Sequence, residues 1–143
     1  MAILLTGAAG FIGFHVAQAL LQRGEDVIGL DNLSDYYDPR LKHARLEQLA
    51  GKKGFKFFQV DIAEPDALRD ATQSACKDGD FEIDRVIHLA AQAGVRYSLI
   101  NPYAYIRANV LGHTVMLEFA RGLKSCRHFV YASSSSVYGG NTK

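Results

Sequence analysis

The chain has 143 residues, with 16 Lys and Arg against 15 Asp and Glu, 48% hydrophobic and 22% charged residues, no Trp and three Pro. Such values fit one globular domain and exclude a disordered tail, a collagen-like repeat and a disulfide miniprotein. A formal charge of +1, with no like-charge run longer than Lys52-Lys53, gives no footprint for nucleic acid or an anionic membrane.

A chain of this size buries about two-thirds of its unfolded surface, enough for one core. Cys76 and Cys126 lie far apart, with no Cys-x-x-Cys and no His at ligand spacing, so they read as free thiols in a reducing compartment and leave no metal site. The N-terminus enters an apolar run and a glycine loop directly, without a basic segment or a long apolar stretch, which predicts a cytoplasmic protein with no membrane partner.

Five apolar runs read as strands: Ala2 to Thr6, Asp26 to Leu30, Phe55 to Val60, Arg85 to Leu89 and His128 to Ala132. They are mostly continuous rather than alternating, as expected of strands covered on both faces. The first helix spans Phe11 to Arg23, with Ile12, Val16 and Ala19/Leu20 on its apolar face and Gly24 closing it. A second helix opens at Pro39 and carries Leu41, Leu46 and Leu49 to Gly51. The third opens at Pro65, with Leu68, Ala71 and Ala75 on one stripe. The fourth takes Asn101 as N-cap and Pro102 as first residue, and runs to about Gly122. Alternating strands and helices predict an α/β, Rossmann-type doubly wound parallel sheet of order 3-2-1-4-5, occupying residues 1–143 as one domain.

Thr6-Gly7-Ala8-Ala9-Gly10-Phe11-Ile12-Gly13 lies between the first strand and the first helix. Gly7 permits the tight turn, Gly10 lets backbone approach a pyrophosphate, and Gly13 lets the helix lie close to the sheet. The backbone N–H groups of Phe11, Ile12 and Gly13 open the helix and present its positive end to the phosphates. Asp31, 24 residues after Gly7 and followed by Asn32, stands where an acidic side chain accepts from an adenosine ribose. A carboxylate there repels a 2′-phosphate and so favours NAD over NADP. No Lys-Ser/Thr pair follows the loop, which excludes a nucleotide-triphosphatase P-loop.

The segments TGAAGFIGFHVA, GLDNLSDYYDPRLKHARL, HLAAQAGVRYSLINPYAYIRANVLG and YASSSSVYG resemble the extended short-chain dehydrogenase/reductase superfamily, and within it the UDP-glucuronate 4-epimerase group. The resemblance implies that Asp61 accepts from the exocyclic amine of adenine, with Ile62 beside it. It also implies that Leu89, Ala90 and Ala91 give the cofactor room at the end of the fourth strand, and that Asn109 stands near the active site. Arg96 and Ser98 would lie beside a nucleotide-sugar substrate. Ser134, four residues before Tyr138, would hydrogen-bond the sugar hydroxyl being oxidised; it lacks a Gly-x-Ser-x-Gly setting and is not read as a nucleophile. His88 reads as a satisfied core histidine.

The same resemblance demands a Tyr-x-x-x-Lys pair, whose lysine lowers the tyrosine pKa for proton abstraction. Four positions after Tyr36, Tyr37, Tyr97, Tyr103, Tyr105, Tyr131 and Tyr138 stand Arg40, Leu41, Asn101, Arg107, Asn109, Ser135 and Thr142, none of them lysine. The family carries the pair about two dozen residues beyond the serine, and later strands and a sugar-nucleotide domain beyond that. The expectation is an incomplete NAD-binding portion of an epimerase, inactive alone, with a homodimer or other self-association favoured at an uncovered fifth strand. One rival is a dehydratase or decarboxylase on the same scaffold, disfavoured because Ser135-Ser136 rather than an Asp-Glu pair follows Ser134. The other is a non-catalytic NAD-binding module, which the missing pair favours.

Overall fold

The computed structural model describes residues 1–77 and 81–140. Five strands, β1 (Ala2–Thr6), β2 (Asp26–Asp31), β3 (Phe55–Gln59), β4 (Ile83–His88) and β5 (His128–Tyr131), pair in parallel in the order β3-β2-β1-β4-β5. Between them run α1 (Phe11–Gln22), α2 (Pro39–Leu49) and α3 (Pro65–Cys76). A longer helical stretch follows β4, made of α4 (Pro102–Tyr105), a π-helical turn (Ile106–Gly112) and α5 (His113–Gly122). The expected order and alternation are those of the structure, and Asn101 caps α4 by accepting from the Ala104 N–H.

β1 and β2 are buried throughout except for Asp26, at the start of β2, because apolar layers lie on both faces. One layer joins Leu4, Ile28 and Leu30 to Leu68 and Ala75 of α3 and Met116 of α5; the other joins Leu5 and Val27 to Phe14 and Ala17 of α1 and Leu49 of α2. Two-sided cover does not extend to the edges: β3 is only half-buried, and β5 is largely exposed. Charged groups close the end of the sheet where the strands begin. Arg85 grips both carboxylate oxygens of Glu25 at 2.9 and 2.7 Å, and Arg127 Nε donates to the fully buried Asp84 at 2.7 Å. The other end, where the strands finish, is open, as parallel sheets of this order leave it.

Two helix faces differ from those expected. In α1, Gly13, Phe14 and Ala17 face the sheet, while Ile12 and Ala19 are exposed; a turn as tight as this one rotates the first helical residues out over the strand ends. In α2, Lys42 and Leu49 are buried and Leu41 is exposed, so the inward face runs 42, 45, 46, 49 rather than through Leu41.

Candidate functional site

A cleft of about 400 Å³ lies across the carboxyl ends of the strands. Its floor is the glycine loop. Gly7 has φ +72°, and a side chain there would press against the Ala90 N–H at 2.9 Å. At Gly13 a Cβ would overlap the Gly7 carbonyl, so helix and turn nest only because that position is bare. Gly10 starts α1 with no side chain capping it, which leaves the first-turn N–H groups of Phe11, Ile12 and Gly13 available at the cleft wall. This cradle fits a pyrophosphate.

Asp31 and Asn32 line the same cleft from the end of β2. The Asp31 carboxylate is buried and held at three points: it accepts from the N–H groups of Ala9 at 3.1 Å and Leu33 at 2.9 Å, and from Lys42 Nζ at 2.7 Å. Lys42 is also buried, lines the cleft, and was not foreseen. A charged residue inside a leucine-rich stretch reads as solvated, yet the i, i+3, i+4, i+7 spacing of 42, 45, 46 and 49 was the signal that places it inward. Arg45 of the same face donates to the Ala9 carbonyl at 3.1 Å, which ties α2 to the glycine loop.

Ile62 after β3, and Leu89, Ala90 and Ala91 after β4, also line the cleft. Thr6 organises the β4 end: its hydroxyl accepts from the N–H groups of Leu89 at 3.2 Å and Ala90 at 3.0 Å, and its proton goes to His88 Nδ1 at 2.7 Å. Burial, reinforced by His113, lowers the His88 pKa to about 4, so the ring stays neutral and serves the core as expected.

Asp61 stands at the rim between lining residues Val60 and Ile62. One of its oxygens accepts from the Ala63 N–H at 2.9 Å and the other from Arg107 Nε at 3.0 Å. Asn109 does not line the cleft. Its amide closes a two-point clamp on the backbone of Gln92, accepting from N–H at 2.8 Å and donating to C=O at 3.0 Å, and so fixes the loop that follows β4. Arg96, Ser98 and Ser134 stand outside the cleft lining. Arg96 is exposed; Ser98 donates to the Val95 carbonyl at 2.7 Å; Ser134 accepts from the Ser136 N–H at 3.2 Å and caps a short turn. Among the described residues no group of His, Cys, Asp and Glu could hold a metal ion, and no helix is long and apolar enough to cross a membrane.

The family model described as GDP-mannose 4,6 dehydratase matches residues 4–143. The chain belongs to that family. Within it, the family chain is 50% identical over 143 residues to an uncharacterized protein of Methanocaldococcus jannaschii, across 99% of this chain and 42% of that one. It is 46% identical over 141 residues to UDP-glucuronate 4-epimerase 4 of Arabidopsis thaliana, across 99% of this chain and 31% of that one. A crystallised phenylalanine-for-tyrosine variant of UDP-glucuronic acid 4-epimerase from Bacillus cereus, in complex with UDP-4-deoxy-4-fluoro-glucuronic acid and NAD, superposes with a TM-score of 0.83. Its identity is 35%, over 100% of this chain and 43% of that one. The family chain therefore spans less than half the length of these relatives.

Proposed function

We propose that the chain binds NAD across the cleft and forms the dinucleotide-binding part of a nucleotide-sugar epimerase whose reaction is 4-epimerisation of UDP-glucuronate through a 4-keto sugar. The observation that carries this reading is Asp31, buried at the end of β2 and facing the same cleft as the uncapped start of α1. Bound NAD supplies a hydride acceptor and donor. The chain's own residues supply position: N–H groups of Phe11, Ile12 and Gly13 hold the pyrophosphate, Asp31 accepts from ribose hydroxyls, and Asp61 accepts from the adenine amine. Leu89, Ala90 and Ala91 leave space at the β4 end, and Asn109 keeps that loop in place through Gln92. In this reading Ser134 holds the reacting sugar hydroxyl, and Arg96 and Ser98 flank the sugar nucleotide.

No Tyr-x-x-x-Lys pair occurs in the sequence, so no group here takes the proton from that hydroxyl, and these residues alone do not turn over. A dehydratase remains the second reading because of the family description, but Ser135-Ser136 behind Ser134 supplies no acid pair. A non-catalytic NAD-binding module is a third, favoured by the missing pair. A cytoplasmic location and self-association, as a homodimer or otherwise, through the open edge of β5 belong to the proposal as well. Incubation with UDP-glucuronate and NAD tests it: UDP-galacturonate formed by these residues alone would refute the need for the pair. A chimera carrying the remaining length of an epimerase relative should be active, and Ser134→Ala should lower its turnover about a hundredfold with little change in NAD affinity. An inactive but folded and NAD-saturated chimera would favour the binding-module reading.

A further inference from the structure

We propose that Arg107 is a positioning residue of the adenine subsite, holding the Asp61 carboxylate so that the protein distinguishes an amine from a carbonyl on the purine. This rests on the reading that Asp61 accepts from the adenine amine. Asp61 follows β3 on a short turn, and the Ala63 N–H at 2.9 Å restrains one of its oxygens. That single bond leaves the second oxygen free to swing. Arg107 Nε engages it at 3.0 Å, and the same guanidinium is held from its other side by Glu64 through Nη2. One backbone N–H and two side chains thus fix one acceptor at the rim of the cleft.

The arginine reaches this rim because of its place in the π-helical turn between α4 and α5. Gly112, at the end of that turn, lies so close to Ile62 that a Cβ would meet Ile62 Cδ1 at 2.7 Å. The helical stretch carrying Arg107 is therefore seated on the neighbour of the residue it holds. Side-chain exposures of 50% for Arg107 and 31% for Asp61 mean that the ion pair adds little to folding. Its effect belongs to recognition, where an acceptor already oriented avoids an ordering cost on binding. The second lone pair of that oxygen stays available to an incoming N–H donor.

The discriminating probe is nicotinamide hypoxanthine dinucleotide, which replaces the adenine amine with a carbonyl oxygen and the N1 acceptor with an N1–H, so that the position the amine occupied faces Asp61 with an acceptor. Dissociation constants for NAD and this analogue are measured by calorimetry on wild type, Arg107→Ala and Glu64→Gln, with thermal midpoints recorded for each. Wild type should favour NAD by about tenfold or more, the ratio of one charge-assisted hydrogen bond. Arg107→Ala should shrink the ratio to about threefold or less with the midpoint nearly unchanged, and Glu64→Gln should fall between. A full wild-type ratio in folded Arg107→Ala overturns the proposal, as does an equal loss of affinity for both dinucleotides, which would make the role structural. A ratio near one in wild type overturns it together with the assignment of Asp61, and the two failures are told apart by that wild-type measurement. Should Arg107→Ala fail to fold, Glu64→Gln decides: an unchanged ratio overturns the proposal.

Discussion

The cleft and the loops beyond its lining are built differently. In the cleft, on the β1–β2 side, Gly13 nests in the glycine turn, and Asp31 and Lys42 are buried against each other at 2.7 Å. Outside the lining, past the ends of β4 and β5, Ser134 engages its own turn, Ser98 does the same, and Arg96 is exposed. The difference teaches that a cradle at the strand ends is built by the sheet itself, since crossovers between strands create it, whereas groups in the loops beyond have only local partners. Substitutions on the first side should therefore reach folding and binding together, and those on the second should leave both intact.

The largest effect is expected at Gly13. Gly13→Ala places a methyl group on the Gly7 carbonyl, where backbone on both sides cannot yield, and should abolish measurable NAD binding and lower the thermal midpoint sharply. Retained binding would show that turn and helix are less closely coupled than the nested geometry requires. Next comes the ion pair. Lys42→Met leaves a buried Asp31 carboxylate without its cation and should cost about 3 kcal/mol in denaturant unfolding. Adding Asp31→Leu should recover much of that loss. A single-variant cost below about 0.5 kcal/mol would mark the pair as no stronger than a surface bridge.

The β4 end gives a smaller, pH-dependent effect. His88 is held at about 4 by burial and by His113, against an ordinary 6.5, so the unfolded chain binds the proton first on acidification. Its contribution is fully present above the unfolded value and is lost as pH falls from about 6.5 towards 4. Thermal midpoints should drop by several degrees between about pH 7 and pH 4.5, less so in His88→Gln, and an identical drop in both would contradict the assignment. The smallest effect is at Ser134, where alanine should change unfolding free energy by less than about 0.5 kcal/mol and leave NAD affinity unaltered. A loss like that at Lys42 would erase the contrast between the cleft and the loops beyond it.

Much of this contrast is legible in the chain. The strand order follows from alternating apolar runs, and Pro39, Pro65 and Pro102 each open a helix where expected. Gly7, Gly10 and Gly13 line the cleft because their spacing matches what a turn, a cradle and a close-packed helix each require. The helical spacing of 42, 45, 46 and 49 can turn Lys42 inward, but its partner lies 11 residues earlier on a different element, and nothing local in the sequence names Asp31 as that partner. Asn109 and Arg107 show the same limit. An Asn inside a helix signals only poor propensity; that it clamps Gln92, and that its neighbour reaches Asp61, depends on a π-helical turn that propensity does not predict.

Asp31 is the residue proposed to receive the adenosine ribose, and the NAD reading turns on it. Calorimetric titration of NAD and NADP against wild type and Asp31→Ala tests it. NAD should bind about tenfold or more tightly than NADP to wild type, because a 2′-phosphate would be set against a buried carboxylate already engaged by Lys42, and the preference should collapse in Asp31→Ala. Equal affinities in wild type would contradict the account at its centre.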